Sequence, residues 1–335
     1  MSEKLIPELG EPVSFYNDTE HLRFDKENWK WHREKPDGTM EPLDGVTSIV
    51  HIIDKSFYLM PWACKMMAQK ILRTMPRNGI NVPEVEIHTE SIPVSQFVTL
   101  VDEAKTAHKE KLEDAGDVGH AAHSWIEDSI RNAITFNKGV VAEMTAMAPI
   151  DERAVNCGLA AHAWMVAHNV RFLHTERPIY NRELGYAGTC DGDALVDSCD
   201  NPACCARIFQ DELSIIDWKT SNYLYVEFLY QTAAYQAALE AEFPGTRYAA
   251  RWILRLGKEE GDFQSWYEKD FAGDFAGYVA CLTLTRQHRT VEKRMADQRK
   301  LLTFRKRTAK AAEKEAVKSA KLAEKVAKKA LKSAE

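Results

Sequence analysis

Residues 207–220 read Arg-Ile-Phe-Gln-Asp-Glu-Leu-Ser-Ile-Ile-Asp-Trp-Lys-Thr, an apolar run at 213–216 that ends on Asp217-Trp218-Lys219. The apolar, β-branched run predicts a buried strand. Alternate side chains of a strand share a face, so Asp217 and Lys219 point the same way at its end. Working outward, VRFLHTERPIY (170–180) and YAGTCDGDALV (186–196) are short, β-rich and separated by polar breaks, giving three strands with the first segment. YLYVEFLYQTAAYQAALEAEF (223–243) is a helix, and RYAARWILRL and DFQSWYEKDF are two more strands joined by a Gly257-Lys-Glu-Glu-Gly261 turn. Helices, three strands, a helix, two strands and a final helix make an α/β core rather than a repeat or a barrel.

The N-terminal half is mostly helical. Residues 21–46 predict a β-hairpin with its turn at Pro36-Asp37-Gly38, where Pro presets φ and Gly tolerates a positive one. Thr47 or Ser48 is placed to cap a short helix, and Pro61 to sit in the first turn of PWACKMMAQKIL. Helices near 94–114 and 118–135, broken around Ala115-Gly116, and one over 151–168 complete this half. From about residue 274 the chain reads as helix to its end, with alanines at 309, 312, 316, 320, 323, 327, 330 and 334. The predicted organisation is one domain over 1–300, with a hairpin and helical half at 21–170 and a sheet core at 171–270, followed by a basic Ala/Lys-rich tail at 301–335.

Of 335 residues, 45% are apolar and 28% charged, as in a soluble globular chain, and no run approaches a membrane span. The first residues lack an apolar signal region, so a cytoplasmic setting is expected and a membrane partner is not. Seven cysteines without CxxC spacing argue for reduced thiols. Net charge is −6, yet residues 301–335 hold eleven Lys/Arg against four Glu, which leaves −13 on the first 300 residues. An acidic body with a basic tail suits local contacts to DNA better than a DNA-coating surface. The tail is open to three readings: a solvated helix, a phosphate-contacting arm or a thin coiled-coil seam. A phosphate-binding GxxxxGK, the zinc-deaminase pattern and HExxH are all absent from the sequence.

Alone, Asp217-x-Lys219 is the pattern of a surface ion pair. Asp191, in Gly188-Thr-Cys-Asp191-Gly192-Asp193, lies on the strand expected to pair with the one ending at Asp217. Two carboxylates on neighbouring strands repel, and a divalent cation relieves the repulsion; oxygen ligands favour Mg²⁺ or Mn²⁺. Gly119-His-Ala-Ala-His123 and Glu127 fall on one helical face, and Gln231 and Tyr235 form an i,i+4 pair on the helix after Lys219.

Gly119/His123, Gly188/Asp191, Asp217/Lys219 and Gln231/Tyr235, in that order, resemble the signature of RecB-type nucleases of the PD-(D/E)XK superfamily. The likeness covers roughly residues 40–240. GVTSIVHIIDKSFYLMPWACKMM is similar to the lead-in of phage-encoded exonucleases, and LGYAGTCDGDALV with LSIIDWKTS is similar to the mitochondrial genome maintenance exonuclease. The resemblance implies a restriction-endonuclease-like core, a mixed central sheet flanked by helices, with a helical N-terminal half and a long C-terminal helix.

It further implies that His123, Asp191, Asp217 and the Trp218 carbonyl hold the metal, and that Lys219 positions or activates the attacking water. Glu176 matches a further acidic position, and Gln231, Tyr235, Thr220 and Ser221 fall beside the DNA backbone. A lysine near the cation is expected to have a depressed pKa.

Two departures stand out. Asp191 and Asp217 are separated by an inserted loop, DSCDNPACCARIFQDE, and the cysteines lack the spacing of the family's iron–sulfur cluster, which is therefore not expected. Cys190, Cys199, Cys204 and Cys205 suit tetrahedral zinc poorly, since two are adjacent. The implied activity is Mg²⁺-dependent exonucleolytic cleavage of single-stranded DNA or duplex ends in phage or bacterial recombination, repair or replication. A single-strand annealing or recombination protein would bind through the tail. A structure-specific endonuclease and a non-catalytic DNA-binding scaffold with an eroded nuclease fold remain the alternatives.

Overall fold

The computed structural model describes residues 9–53, 55–74, 94–137, 139–200 and 208–332. Its N-terminal segment forms an antiparallel meander, β1 (Val13–Phe15), β2 (Glu20–Asp25), β3 (Lys30–Glu34) and β4 (Met40–Pro42). The Pro36-Asp37-Gly38 turn is present, with Asp37 accepting from the Thr39 N–H. The expected single hairpin, however, contains a second turn between β2 and β3. Asp25 makes it: its carboxylate accepts the N–H groups of Glu27 and Asn28 and the Asn28 side-chain amide, and this local bonding draws the chain out of the strand. Phe15, Leu22, Trp31 and Leu43 bury against Tyr180 and Ala187 of the main sheet.

Helix α1 (Val46–Val50) follows β5 (Asp44–Gly45). Its cap is Gly45, without a side-chain bond, and Thr47 and Ser48 lie inside its first turn rather than capping it. Helix α2 (Ser56–Thr74) begins before Pro61, which sits within it; the Leu59 N–H already bonds the Lys55 carbonyl.

Helices α3 (Val94–Ala104) and α4 (Ala107–Asn137) break at Lys105-Thr106, not at Ala115-Gly116. A glycine inside a helix costs about 0.5–1 kcal/mol. The buried face of α4, carried by Val118, Ala122, Ile126, Ile130 and Ala133, outweighs that. Helix α5 (Glu152–Ala167) is capped by Asp151, which accepts the Arg153 N–H at 2.9 Å.

The main sheet contains β6 (Arg171–Asn181), β7 (Tyr186–Val196), β8 (Glu212–Lys219), β9 (Ala250–Leu256) and β10 (Phe263–Glu268). Its neighbours run β6-β7-β8-β9-β10, with β5 added parallel to β7. All other pairs are antiparallel except β8–β9, joined by the crossover helix α6 (Val226–Glu242). The sheet is therefore mixed. Side chains of Ala194, Val196, Ile216, Trp218, Trp252 and Leu254 bury one face against α4 and α5 residues including Ile126, Ile130, Ala161 and Trp164. Helix α6 covers the other face, where the Tyr186 hydroxyl donates to the Ala234 carbonyl.

At the base of the insert between β7 and β8 the Ser198 N–H bonds the Phe209 carbonyl, and the Asp211 N–H bonds Asp197. Cys204 and Cys205 lie outside the described residues. Cys190 is buried and its thiol donates to the Gly192 carbonyl.

Helix α7 (Phe271–Lys332) ends the described chain. The compact body spans Met1–Cys281, and Leu282–Glu335 is a second unit. Among the described residues, no helix is long and apolar enough to cross a membrane.

Candidate metal centre

Strand register sets three carboxylates in a row. β6 pairs with β7 at Thr175↔Gly192 and Arg177↔Cys190, which leaves Glu176 opposite Asp191. β7 pairs with β8 as far as Gly192↔Ile216, so one step further Asp191 faces Asp217. There the β7–β8 ladder ends, and Asp191 Oδ2 accepts the Trp218 N–H at 2.8 Å. On its other side β8 stays paired with β9 through Lys219↔Arg255. Glu176 has a φ of 45°, a left-handed backbone that costs a bulky residue energy and is characteristic of functional sites.

Helix α4 supplies the imidazole. A Cβ on Gly119 would lie 2.9 Å from Thr220 Oγ1, so glycine lets the helix close on the end of β8. One turn later His123 Nδ1 lies 3.8 Å from Asp191 Oδ2, and 30% of its side chain remains open to solvent. One ligand atom each from His123, Glu176 and Asp191 lie within 4.8 Å of one another. Of the expected ligands, His123 and Asp191 lie at ligand spacing together with Glu176, and Asp217 is the next carboxylate, facing Asp191 across the strands. Asp217 is fully buried, with Lys219 Nζ 2.6 Å from its Oδ2. Its Oδ1 has no hydrogen-bond partner among the described residues. Lys219 Nζ also sits 4.9 Å above the Phe228 ring.

Burial sets the protonation of these groups. It pushes Glu176 up to about 8, helped by the charges of Asp191 and Glu127. It pushes Asp217 up to about 6, against Lys219 and with Asp191, and raises Asp191 as well. Burial and the Lys219 charge hold His123 down to about 4, a neutral imidazole ready to ligate. Lys219 does not have the expected depressed pKa. Burial pulls it down, but Asp217 and Asp191 more than compensate and hold the ammonium above its ordinary value.

The donor set fits a divalent cation. With all three carboxylates ionised, the cluster and its one ammonium would carry a charge of about −2, which a divalent ion would balance. The orphaned Asp217 oxygen and the uphill ionisation of Glu176 and Asp191 are the costs that such an ion removes. Among the described residues, this is the cluster with metal-ligand spacing.

The remaining expected residues divide. Gln231 and Tyr235 are buried, with Gln231 Nε2 2.5 Å from the Tyr235 hydroxyl. The Tyr235 ring packs beside Gly188, and Asp217 and Asp191 help raise its pKa. Both side chains lie where α6 packs on the sheet. Thr220 packs on Gly119, and the Ser221 hydroxyl donates to the Tyr223 carbonyl.

Glu127, paired with Arg131, is a further acidic neighbour of Glu176 and Asp191. Its i,i+4 spacing from His123 was the signal for it. Exposed rings also stand near the centre: Tyr223 and Tyr225, edge to face, continue from Phe228, and Trp29 stacks on His120.

No protein-family model and no curated protein matches this chain.

Proposed function

We propose that this chain is a divalent-metal-dependent deoxyribonuclease with a PD-(D/E)XK-like core, acting as an exonuclease on single-stranded DNA or duplex ends. The observation that carries the reading is the convergence of His123, Glu176 and Asp191 at ligand spacing beside the buried Asp217–Lys219 pair. In this reading His123, Glu176, Asp191, Asp217 and the Trp218 carbonyl hold Mg²⁺ or Mn²⁺. The ion supplies Lewis acidity to the phosphoryl oxygens and makes water a stronger acid.

Lys219 places a fixed positive charge where a phosphodiester under attack accumulates negative charge, and Asp217 fixes that ammonium in place. The neutral His123 ring contributes a ligand without adding charge. Glu176, set opposite Asp191 by the β6–β7 register, adds a third carboxylate oxygen donor to the ion's surroundings. The basic tail adds sequence-independent attraction to phosphates, or holds an annealing or recombination protein.

The test is incubation with linear duplex, circular duplex and single-stranded DNA, each with Mg²⁺ and with EDTA. Mg²⁺-dependent loss of linear and single-stranded DNA, abolished by Asp217→Asn or Lys219→Ala, supports the reading. Cleavage of covalently closed circles makes the protein an endonuclease. Intact DNA under every condition removes the enzymatic reading.

A further inference from the structure

Trp29 is out of keeping with a residue chosen for folding alone. It closes the β2–β3 turn with a φ of 49°, a backbone at which Gly or Asn would be unstrained. It leaves 74% of its surface in solvent. Yet the indole is not loose. It lies nearly parallel to the His120 ring, with centroids 5.9 Å apart and planes 8° apart, and its edge meets Phe24 at 5.9 Å and 82°. Asp25 fixes the turn that carries it, through the N–H groups of Glu27 and Asn28. The result is a rigid, exposed π face.

Its position gives that face a purpose. His120 is on α4, next to Gly119, which touches Thr220, and one turn before His123. A helical turn is about 5.4 Å, and successive bases of a strand are about 3.4 Å apart. A base on Trp29 would therefore sit a few nucleotides from a phosphate at the metal centre. Lys26 and Lys30, both exposed, flank the indole with one intervening exposed carboxylate, Glu27. Every base offers a π face, so such a platform accepts any sequence but requires bases that are unpaired.

We propose that Trp29, backed by His120, is a stacking platform for a base of a single-stranded polynucleotide entering the metal centre. The inference rests on the nuclease reading for the identity of the ligand, but its test does not depend on hydrolysis.

The probes are a fluorescent oligothymidylate of roughly 20 nucleotides and an abasic strand of equal length. Their binding to the full-length protein is followed by anisotropy in EDTA. The wild type binds the thymidylate more tightly than the abasic strand. Trp29→Ala weakens thymidylate binding about tenfold and leaves the abasic strand where it was, while Trp29→Phe retains most of the difference. Equal thymidylate binding by wild type and Trp29→Ala overturns the platform, as does an equal loss on both strands. Wild-type hydrolysis with Mg²⁺ is scored separately. If base-dependent binding is lost in Trp29→Ala but the wild type never cleaves, the platform stands and the nuclease reading fails; cleavage with Trp29-independent binding gives the reverse.

Discussion

The Trp218 N–H donates to Asp191 Oδ2 at 2.8 Å, at the step where the β7–β8 ladder runs out. A side-chain oxygen thus replaces a backbone carbonyl. This lets the two strands part just enough for the carboxylates of Asp191 and Asp217 to occupy the gap. One interaction both satisfies the Trp218 donor and fixes the position of the Asp191 carboxylate.

Asp191→Ala and Asp191→Asn should consequently differ. Both remove the charge, but only the alanine leaves the Trp218 N–H without an acceptor, a loss of about 1–3 kcal/mol. Urea unfolding in EDTA should find Asp191→Asn more stable than Asp191→Ala by that margin, with Mn²⁺ binding weakened in both.

Stability should depend on pH in a direction set by Glu176. Its pKa in the folded protein is about 8 against an ordinary 4.5. Between those values the folded state binds more protons than the unfolded one, so stability falls as pH rises. His123 acts in the opposite sense. Its pKa is held at about 4 against 6.5, so it favours folding increasingly as pH rises through that interval and adds nothing further above it. In EDTA the melting temperature should therefore decline from about pH 7 to 9. Glu176→Gln or saturating Mn²⁺ should flatten that decline.

Two glycines of the helical layer should respond oppositely to alanine. A Cβ on Gly116 meets nothing within 4 Å, so Gly116→Ala should stabilise the protein by about 0.5–1 kcal/mol. A Cβ on Gly158 would lie 2.3 Å from the Trp125 ring, so Gly158→Ala should destabilise it by about 1–3 kcal/mol. Urea unfolding measures both.

The tail makes an electrostatic prediction. Removing residues 305–335 takes away eleven Lys/Arg and four Glu. If the tail touches phosphates, the salt dependence of DNA affinity should become shallower. An unchanged slope would assign the tail to a protein partner.

Much of the fold is legible in the sequence. The strands at 171–181 and 212–219 follow from β-branched and aromatic runs, the one at 186–196 from its short length between polar breaks, and α6 from its unbroken helical pattern. Asp191 and Asp217 came together because their strands pair. Glu176 is named by the resemblance, but its place beside His123 and Asp191 depends on the β6 register and its left-handed backbone, which propensity does not encode. The Ala115-Gly116 break predicted from the sequence is absent because one exposed glycine weighs little against a long buried face. The β2–β3 turn is spelt by Asp25 and Asn28, but alternation around Trp29 and Trp31 reads as continuous strand. Trp29 became visible only with His120 beneath it.

The central claim is that His123 and the strand carboxylates hold one divalent ion. Pulsed electron paramagnetic resonance of bound Mn²⁺ tests it most directly, because a coordinated imidazole nitrogen modulates the echo. The account predicts a nitrogen coupling in the wild type that disappears in His123→Ala, with binding weakened further in Asp191→Asn. Absence of bound Mn²⁺, or a coupling that survives removal of His123, would contradict it.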